Sequence, residues 1–190
     1  MDTEDFQGVP QHVARTRALE HIDEMLQMHG KTTSSLGLPT THHRLNGLQS
    51  LGQVCICVST TGIAACELPN RRTAHSMFRF PLKERLVEGC VCDVFFRNNR
   101  AELLRKCFLV MWDGIPSTHR FCAEALGRTL RDLTCVNRPF GGNTILLCGD
   151  LRHTGPIVPF GADADVVQAS LFSSPLWGKF QRRHLTLPQL

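Results

Sequence analysis

Two aspartates stand where apolar runs stop. Asp113 closes the run Cys107-Phe-Leu-Val-Met-Trp and is followed by Gly114, Ile115 and Pro116. Asp150 follows Thr144-Ile-Leu-Leu-Cys148 and Gly149. A continuous apolar run closed by turn residues reads as a strand buried on both faces. In open α/β sheets ligands collect at the carboxyl ends of such strands, where a carboxylate holds Mg²⁺ through water. The alternative for Asp113 is a loop aspartate capping the next helix, and its own stretch favours neither. Residues 59–65, Ser-Thr-Thr-Gly-Ile-Ala-Ala, place hydroxyls and a glycine at a strand-to-helix transition. That pattern supplies backbone N–H groups and a helix N-terminus to an anion, or simply an N-cap. Residues 71–76, Arg-Arg-Thr-Ala-His-Ser, add a basic, hydroxyl-bearing segment.

The elements that would position these groups alternate along the chain. Val54-Cys-Ile-Cys-Val58 is a short apolar strand; residues 101–106 form a helix feeding the strand that ends at Asp113; residues 121–133 form a helix with Phe121, Ala125, Leu126, Leu130 and Leu133 inward. Residues 144–148 are a third strand, 165–171 and 175–180 helical pieces, and 184–187 the start of a last strand. Strand, helix, strand, helix, strand is the grammar of a parallel sheet with helices on its faces. Before it, residues 13–29 carry a helical apolar face (Ala18, Leu19, Ile22, Met25, Leu26) stopped by Gly30, and residues 31–43 read as a linker.

Composition narrows the class. The 190 residues are 42% hydrophobic and 20% charged, enough for one domain with a core and a small appendage. A net charge of +4 permits nucleic acid as a partner without arguing for it, because the basic residues are scattered. Nine cysteines include no Cys-x-x-Cys, and the pairs Cys55/Cys57 and Cys90/Cys92 have no histidine at zinc-finger spacing. Reduced core thiols are the expectation. The acidic amino terminus has no apolar leader and no run approaches membrane-spanning length, so an intracellular protein is expected.

Taken together, these segments resemble the first motor domain of superfamily-one DNA helicases of the Pif type, in the form encoded by Helitron transposons. Seven short segments appear in the family's order. Residues 59–65 resemble its second motif, Thr73-Ala-His-Ser76 the next, Trp112-Asp113 its Walker B strand and Gly149-Asp-Leu-Arg152 its third. Pro139-Phe-Gly-Gly142, Pro156-Ile-Val-Pro159 and Ser173-Ser-Pro-Leu-Trp177 are also similar, and residues 17–39 resemble the helical region ahead of the motor in Helitron proteins. The resemblance implies an incomplete RecA-like P-loop NTPase domain over residues 44–190, preceded by a helical segment and linker over 1–43. It implies Mg²⁺ and ATP as cofactors, single-stranded DNA as partner, ATP-driven 5′-to-3′ unwinding with repair, recombination and telomere roles, and a nuclear location. By position, Asp113 would hold Mg²⁺; Thr60, Thr61, Gly62, His75 and Ser76 would contact the DNA backbone; Asp150 and Arg152 would couple nucleotide state to DNA grip.

Several parts of the family's reaction centre are missing from that pattern. Phosphoryl transfer needs a phosphate cradle with its lysine, a magnesium acid, a group orienting water and an arginine. The chain has no Gly-x-x-x-x-Gly-Lys-Ser/Thr. Arg44-Leu-Asn46 resembles the opening of the family's nucleotide-binding stretch, yet residues 47–52 already resemble the end of the helix after the P-loop. Gly114 stands where the family has its water-activating glutamate, His153 where it has a glutamine, and the family's arginine falls near the end at Leu190. The expectation is a truncated copy unable to unwind DNA alone, its sheet lacking a central strand so that two inner strands close on each other or fray. The competing readings are an ATP-dependent helicase completed by another chain, a catalytically dead single-strand-binding module, and a degenerate transposon-derived product.

Overall fold

The computed structural model describes residues 54–66, 68, 72–150 and 155–181, which fall almost wholly within one compact unit, Gln53–Phe180. The expected helix over 13–29, the linker, the residues around 44–53 and the last strand lie outside the described residues, as do Arg152 and His153.

Three strands form the sheet: β1, Val54–Ser59; β2, Cys107–Asp113; and β3, Thr144–Cys148. They pair in the order β1-β2-β3, and both pairings are parallel. β2 is therefore flanked on both sides. Of the two outcomes expected for the inner strands, closing on each other or fraying, fraying is not seen. Among the described residues the ladder has no gap, and its open edges are the outer ones of β1 and β3. The cause is the register: Val54 to Ser59 runs against Cys107 to Asp113, and Thr144 to Cys148 against Leu109 to Asp113, so all three strands finish at one level.

Among the described residues five helices connect and cover the strands: α1, Gly62–Ala65; α2, Ala74–Phe78; α3, Asn99–Lys106; α4, Arg120–Thr134; and α5, Asp163–Ala169. The starts of the first four are set by side chains that accept otherwise orphaned N–H groups. Thr61 accepts from Ala64, Thr73 from Ser76, Asn98 from Ala101, and the His119 ring from Phe121. The helical piece expected over 165–171 is α5, whereas the one expected over 175–180 is only a single 3₁₀ turn, Trp177–Lys179; another such turn, Leu171–Ser173, follows α5.

Alternation along the strands sends Ile56, Val58, Val110 and Trp112 into one core with Ala74, Met77 and Phe78 of α2, Leu104 of α3 and Leu126, Leu130 and Leu133 of α4. Trp112 is its centre, wholly buried, with the rings of Phe78 and Phe80 at 5.8 and 5.4 Å. Phe121, expected inward, is only half-buried; its ring lies beside His119 and under the Arg120 guanidinium.

α4 holds the later part of the chain by a buried carboxylate. Glu124 is 7% exposed, meets Arg120 at 3.2 Å and Arg128 at 3.7 Å, and accepts from the Ser174 hydroxyl at 2.9 Å. At the other end of α4, Gly141 presses against the helix. A Cβ there would lie 2.3 Å from the Thr134 hydroxyl and 2.6 Å from the Leu130 carbonyl, and its φ of +64° already favours glycine. All nine cysteines are free, as a reduced core implies, but Cys66 and Cys135 are exposed.

Candidate nucleic-acid and nucleotide-facing edge

The carboxyl edge of the sheet gathers the residues singled out by sequence. Ser59, Asp113 and Cys148 are register neighbours, so Asp113 lies two residues of chain from the level of Asp150. Both aspartates are half-buried. Directly after β2 the chain turns left-handed at Gly114, φ +73°. Directly after β3, Gly149 comes so close to that turn that a Cβ would lie 2.5 Å from the Pro116 ring. The exit of β3 and the turn after Asp113 are thus packed together, and only a glycine fits between them.

Two segments apart in sequence are brought side by side at this edge. Ser59 bridges Thr73, and the Ser59 N–H reaches the Arg72 carbonyl at 3.4 Å. The turn after β1 therefore adjoins the start of α2. Thr61 and Gly62 on the first, and His75 and Ser76 on the second, are all exposed. A Cβ at Gly62 would meet nothing within 4 Å, so its space faces outward. The anion-site argument from the helix dipole is weaker than the sequence suggests, because α1 has only four residues and Thr61 already takes one of its free N–H groups, that of Ala64.

Thr60 behaves differently from its neighbours. Its hydroxyl receives the Trp112 indole N–H at 3.0 Å, shares a 2.8 Å hydrogen bond with the Thr118 hydroxyl, and donates to the Asp113 carbonyl at 3.4 Å. Its own N–H reaches the same carbonyl at 2.9 Å. These partners fill the hydroxyl's capacity from the inside. Thr60 ties the end of β1 to the acid-bearing end of β2. Sequence reasoning saw a hydroxyl at a strand-to-helix transition and had no means of reading its direction. Beside it the Ser59 hydroxyl is buried and unpartnered.

Electrostatics at the edge favour neutral histidine. His75 is exposed at its rim, but partial desolvation, with its ring edge-on to Phe80, lowers its pKa, and burial together with the Arg120 charge lowers that of His119. The buried thiols are held protonated: burial pushes Cys92, Cys107, Cys122 and Cys148 up to about 12. Among the described residues no group of three or more His, Cys, Asp or Glu side chains is placed to hold a metal ion.

For Mg²⁺ with ATP, the donor set is incomplete. Asp113 supplies one carboxylate at the proper strand end, which suits a mostly hydrated Mg²⁺ held also by phosphates. The position after it cannot take the family's glutamate without cost, since a side chain at φ +73° is strained by about 1–2 kcal/mol. Two cavities among the described residues lie elsewhere. One, of about 460 Å³, is lined by Arg85, Cys92, Asp93, Val94 and Phe95; the other, of about 250 Å³, lies between His119, Arg120 and Phe121 and the α5 region.

A parallel sheet of this order, with acids after two strands and hydroxyl-glycine turns at one edge, is that of RecA-like helicase motor domains. The chain belongs to the PIF1-like helicase family, whose model matches residues 40–189. The ATP-dependent DNA helicase PIF1 of Candida albicans is 27% identical over 137 residues, which is 70% of this chain and 15% of that protein. Among solved structures, the Pif1 helicase from Bacteroides in complex with ADP-AlF3 and ssDNA superposes with a TM-score of 0.54 at 26% identity, covering 65% of this chain and 29% of that one. The Pif1 helicase of Candida albicans gives the same TM-score at 22% identity over 74% of this chain and 31% of that one, a likeness of fold. The chain thus spans well under half the length of the relatives it matches.

Proposed function

We propose that this chain is a helicase-family domain that holds the backbone of single-stranded DNA and, by itself, does not hydrolyse ATP. The observation that carries the reading is the Ser59–Thr73 bridge, which unites two motif segments into one exposed surface of Thr61, Gly62, His75 and Ser76. Hydroxyls, backbone amides and a neutral imidazole position phosphates without reading bases, which is what a sequence-indifferent DNA grip requires. Membership of the family supports DNA as the partner, and the Bacteroides relative is solved with ssDNA.

The second half of the proposal rests on the phosphate cradle. Gly30-Lys31-Thr32 has the last three letters of a P-loop, but Met25 stands at its first glycine and the stretch precedes the matched residues 40–189. With Gly114 in place of the water-activating carboxylate, neither half of the hydrolytic apparatus is supplied. On this proposal Asp113 remains as a magnesium ligand without a nucleotide to serve, and Asp150, Arg152 and His153 as a coupling segment with nothing to couple. The Helitron-type origin, the repair and recombination context and nuclear residence belong to the same proposal.

Fluorescence titration with a labelled oligothymidylate, beside calorimetry with a non-hydrolysable ATP analogue, tests it. The expected result is weak, salt-sensitive binding of the oligonucleotide, lowered in both Thr61→Ala and His75→Ala, and no heat with the nucleotide. Gly114→Glu should recover no hydrolysis, because a base cannot assist attack on a phosphate that is not held. Single-strand-stimulated ATPase in either protein would sink the reading.

A further inference from the structure

Three arginines flank the helix that carries His75 and Ser76. Arg72 immediately precedes the cap residue Thr73, and Arg79 is the residue that ends α2, in the left-handed conformation at φ 55°. Arg100 reaches in from α3, donating to the Ser76 and Met77 carbonyls at 2.7 and 2.5 Å. A five-residue helix is only about 7.5 Å long, so Arg72 and Arg79 are rooted close together at its two ends, with Arg100 bound to its last carbonyls. Arg72 and Arg79 are exposed.

Nothing among the described residues neutralises them. The nearby acids are committed elsewhere: Asp93, whose N–H binds the Arg79 carbonyl, pairs with Arg85 at 2.6 Å, and Glu102 of α3 pairs with Lys106 at 2.7 Å. Desolvation and the repulsion of Arg79 and Arg72 lower the pKa of Arg100, the sign of like charges held together. Such crowding costs stability in the free protein. The cost is offset when a polyanion lies across the group and its condensed counterions are released.

We infer that Arg72, Arg79 and Arg100 form a phosphate track that continues the His75–Ser76 surface and takes the backbone of a single nucleic-acid strand. This rests on the proposed DNA-holding role and extends it to residues that none of the family-like motifs contains. Arg100 also finishes α2 by binding its carbonyls, so the two exposed arginines are the informative ones to change. Arg supplies a planar fork to phosphate oxygens, whereas the motif hydroxyls supply only neutral hydrogen bonds. The track should therefore dominate the salt dependence, and the hydroxyls should not.

The test is the slope of log affinity against log salt for the full chain and a labelled oligothymidylate. Each phosphate-neutralising charge removed lowers a single-strand slope by ~0.7, so the double variant Arg72→Gln/Arg79→Gln should lose ~1.4. Arg72→Lys/Arg79→Lys should keep the slope, which a merely structural role would not predict. A slope unchanged in the Gln variant, with Thr61→Ala and His75→Ala still weakening binding, would overturn the track and leave the proposed function standing. A slope lost in the Gln variant with Thr61→Ala and His75→Ala indifferent would support the track and displace the proposed function. Binding to phosphatidylserine vesicles in place of the oligonucleotide, lost in the Gln variant, would overturn the inference in favour of a lipid surface.

Discussion

Thr60 shows how little of a residue's role its type reveals. The sequence offers three hydroxyls in a row, and the structure uses each differently. Ser59 is buried without a partner, Thr60 is bound from within and Thr61 caps a helix. Thr60→Val should cost about 1–3 kcal/mol in denaturant unfolding, because the Trp112 N–H and the Thr118 hydroxyl lose their partner. Thr60→Ser should restore most of it, and an undamaged valine variant would mean the network carries no weight. His119 gives a pH-dependent counterpart. Its ring accepts the Phe121 N–H, and its pKa is lowered in the fold by burial and by Arg120. The unfolded chain therefore binds the proton more readily, so stability is full above the unfolded pKa of about 6.5 and falls as pH drops through the lower folded value. Denaturation at pH about 7.5 and 5.5 should show this loss, and His119→Asn, which keeps a capping acceptor, should flatten it.

At the scale of elements, the apolar runs were legible because parallel strands buried on both faces need no alternation, and Gly and Pro mark their ends. β1, β2 and β3 fall where those runs predict, within a residue. Strand order was not legible. Nothing in Val54–Ser59 or Thr144–Cys148 states which edge of β2 each will take, so closure and fraying of the sheet both stayed open until the order β1-β2-β3 was seen. Close approaches were equally hidden. The Pro139-Phe-Gly-Gly142 segment looked only family-like, yet Gly141 is demanded by contact with α4 and by its φ. Gly141→Ala should destabilise by about 2–5 kcal/mol, combining left-handed strain with overpacking against the helix backbone. A chemical denaturation midpoint unchanged in that variant would show that the loop can move away from Leu130 at no cost.

Across the described residues, the exposed arginines and the thiols show what the sequence left open. Scattered basic residues gave no footprint in sequence because Arg100 joins Arg72 and Arg79, at the two ends of α2, only after α3 folds against that helix. Cysteine placement was partly legible: strand and helix cysteines are covered, while Cys66 and Cys135, each at the end of a helix, are open. Alkylation followed by mass spectrometry should therefore mark Cys66 and Cys135 first, with the thiols that burial raises to about 12 reacting only on unfolding. Early labelling of Cys92 or Cys122 would mean that the core around α4 opens on its own.

The indole of Trp112 has an optical consequence. The chain contains two tryptophans and no tyrosine, so its near-ultraviolet emission is dominated by Trp112 and Trp177. Trp112 sits wholly inside, its N–H on the very hydroxyl that joins the turn beside Thr61 to the strand bearing Asp113. In a chain carrying Trp177→Phe, the colour of the light would report the state of that joint. A strand of DNA that drew on the turn would be seen as a change of wavelength, without a label on either molecule.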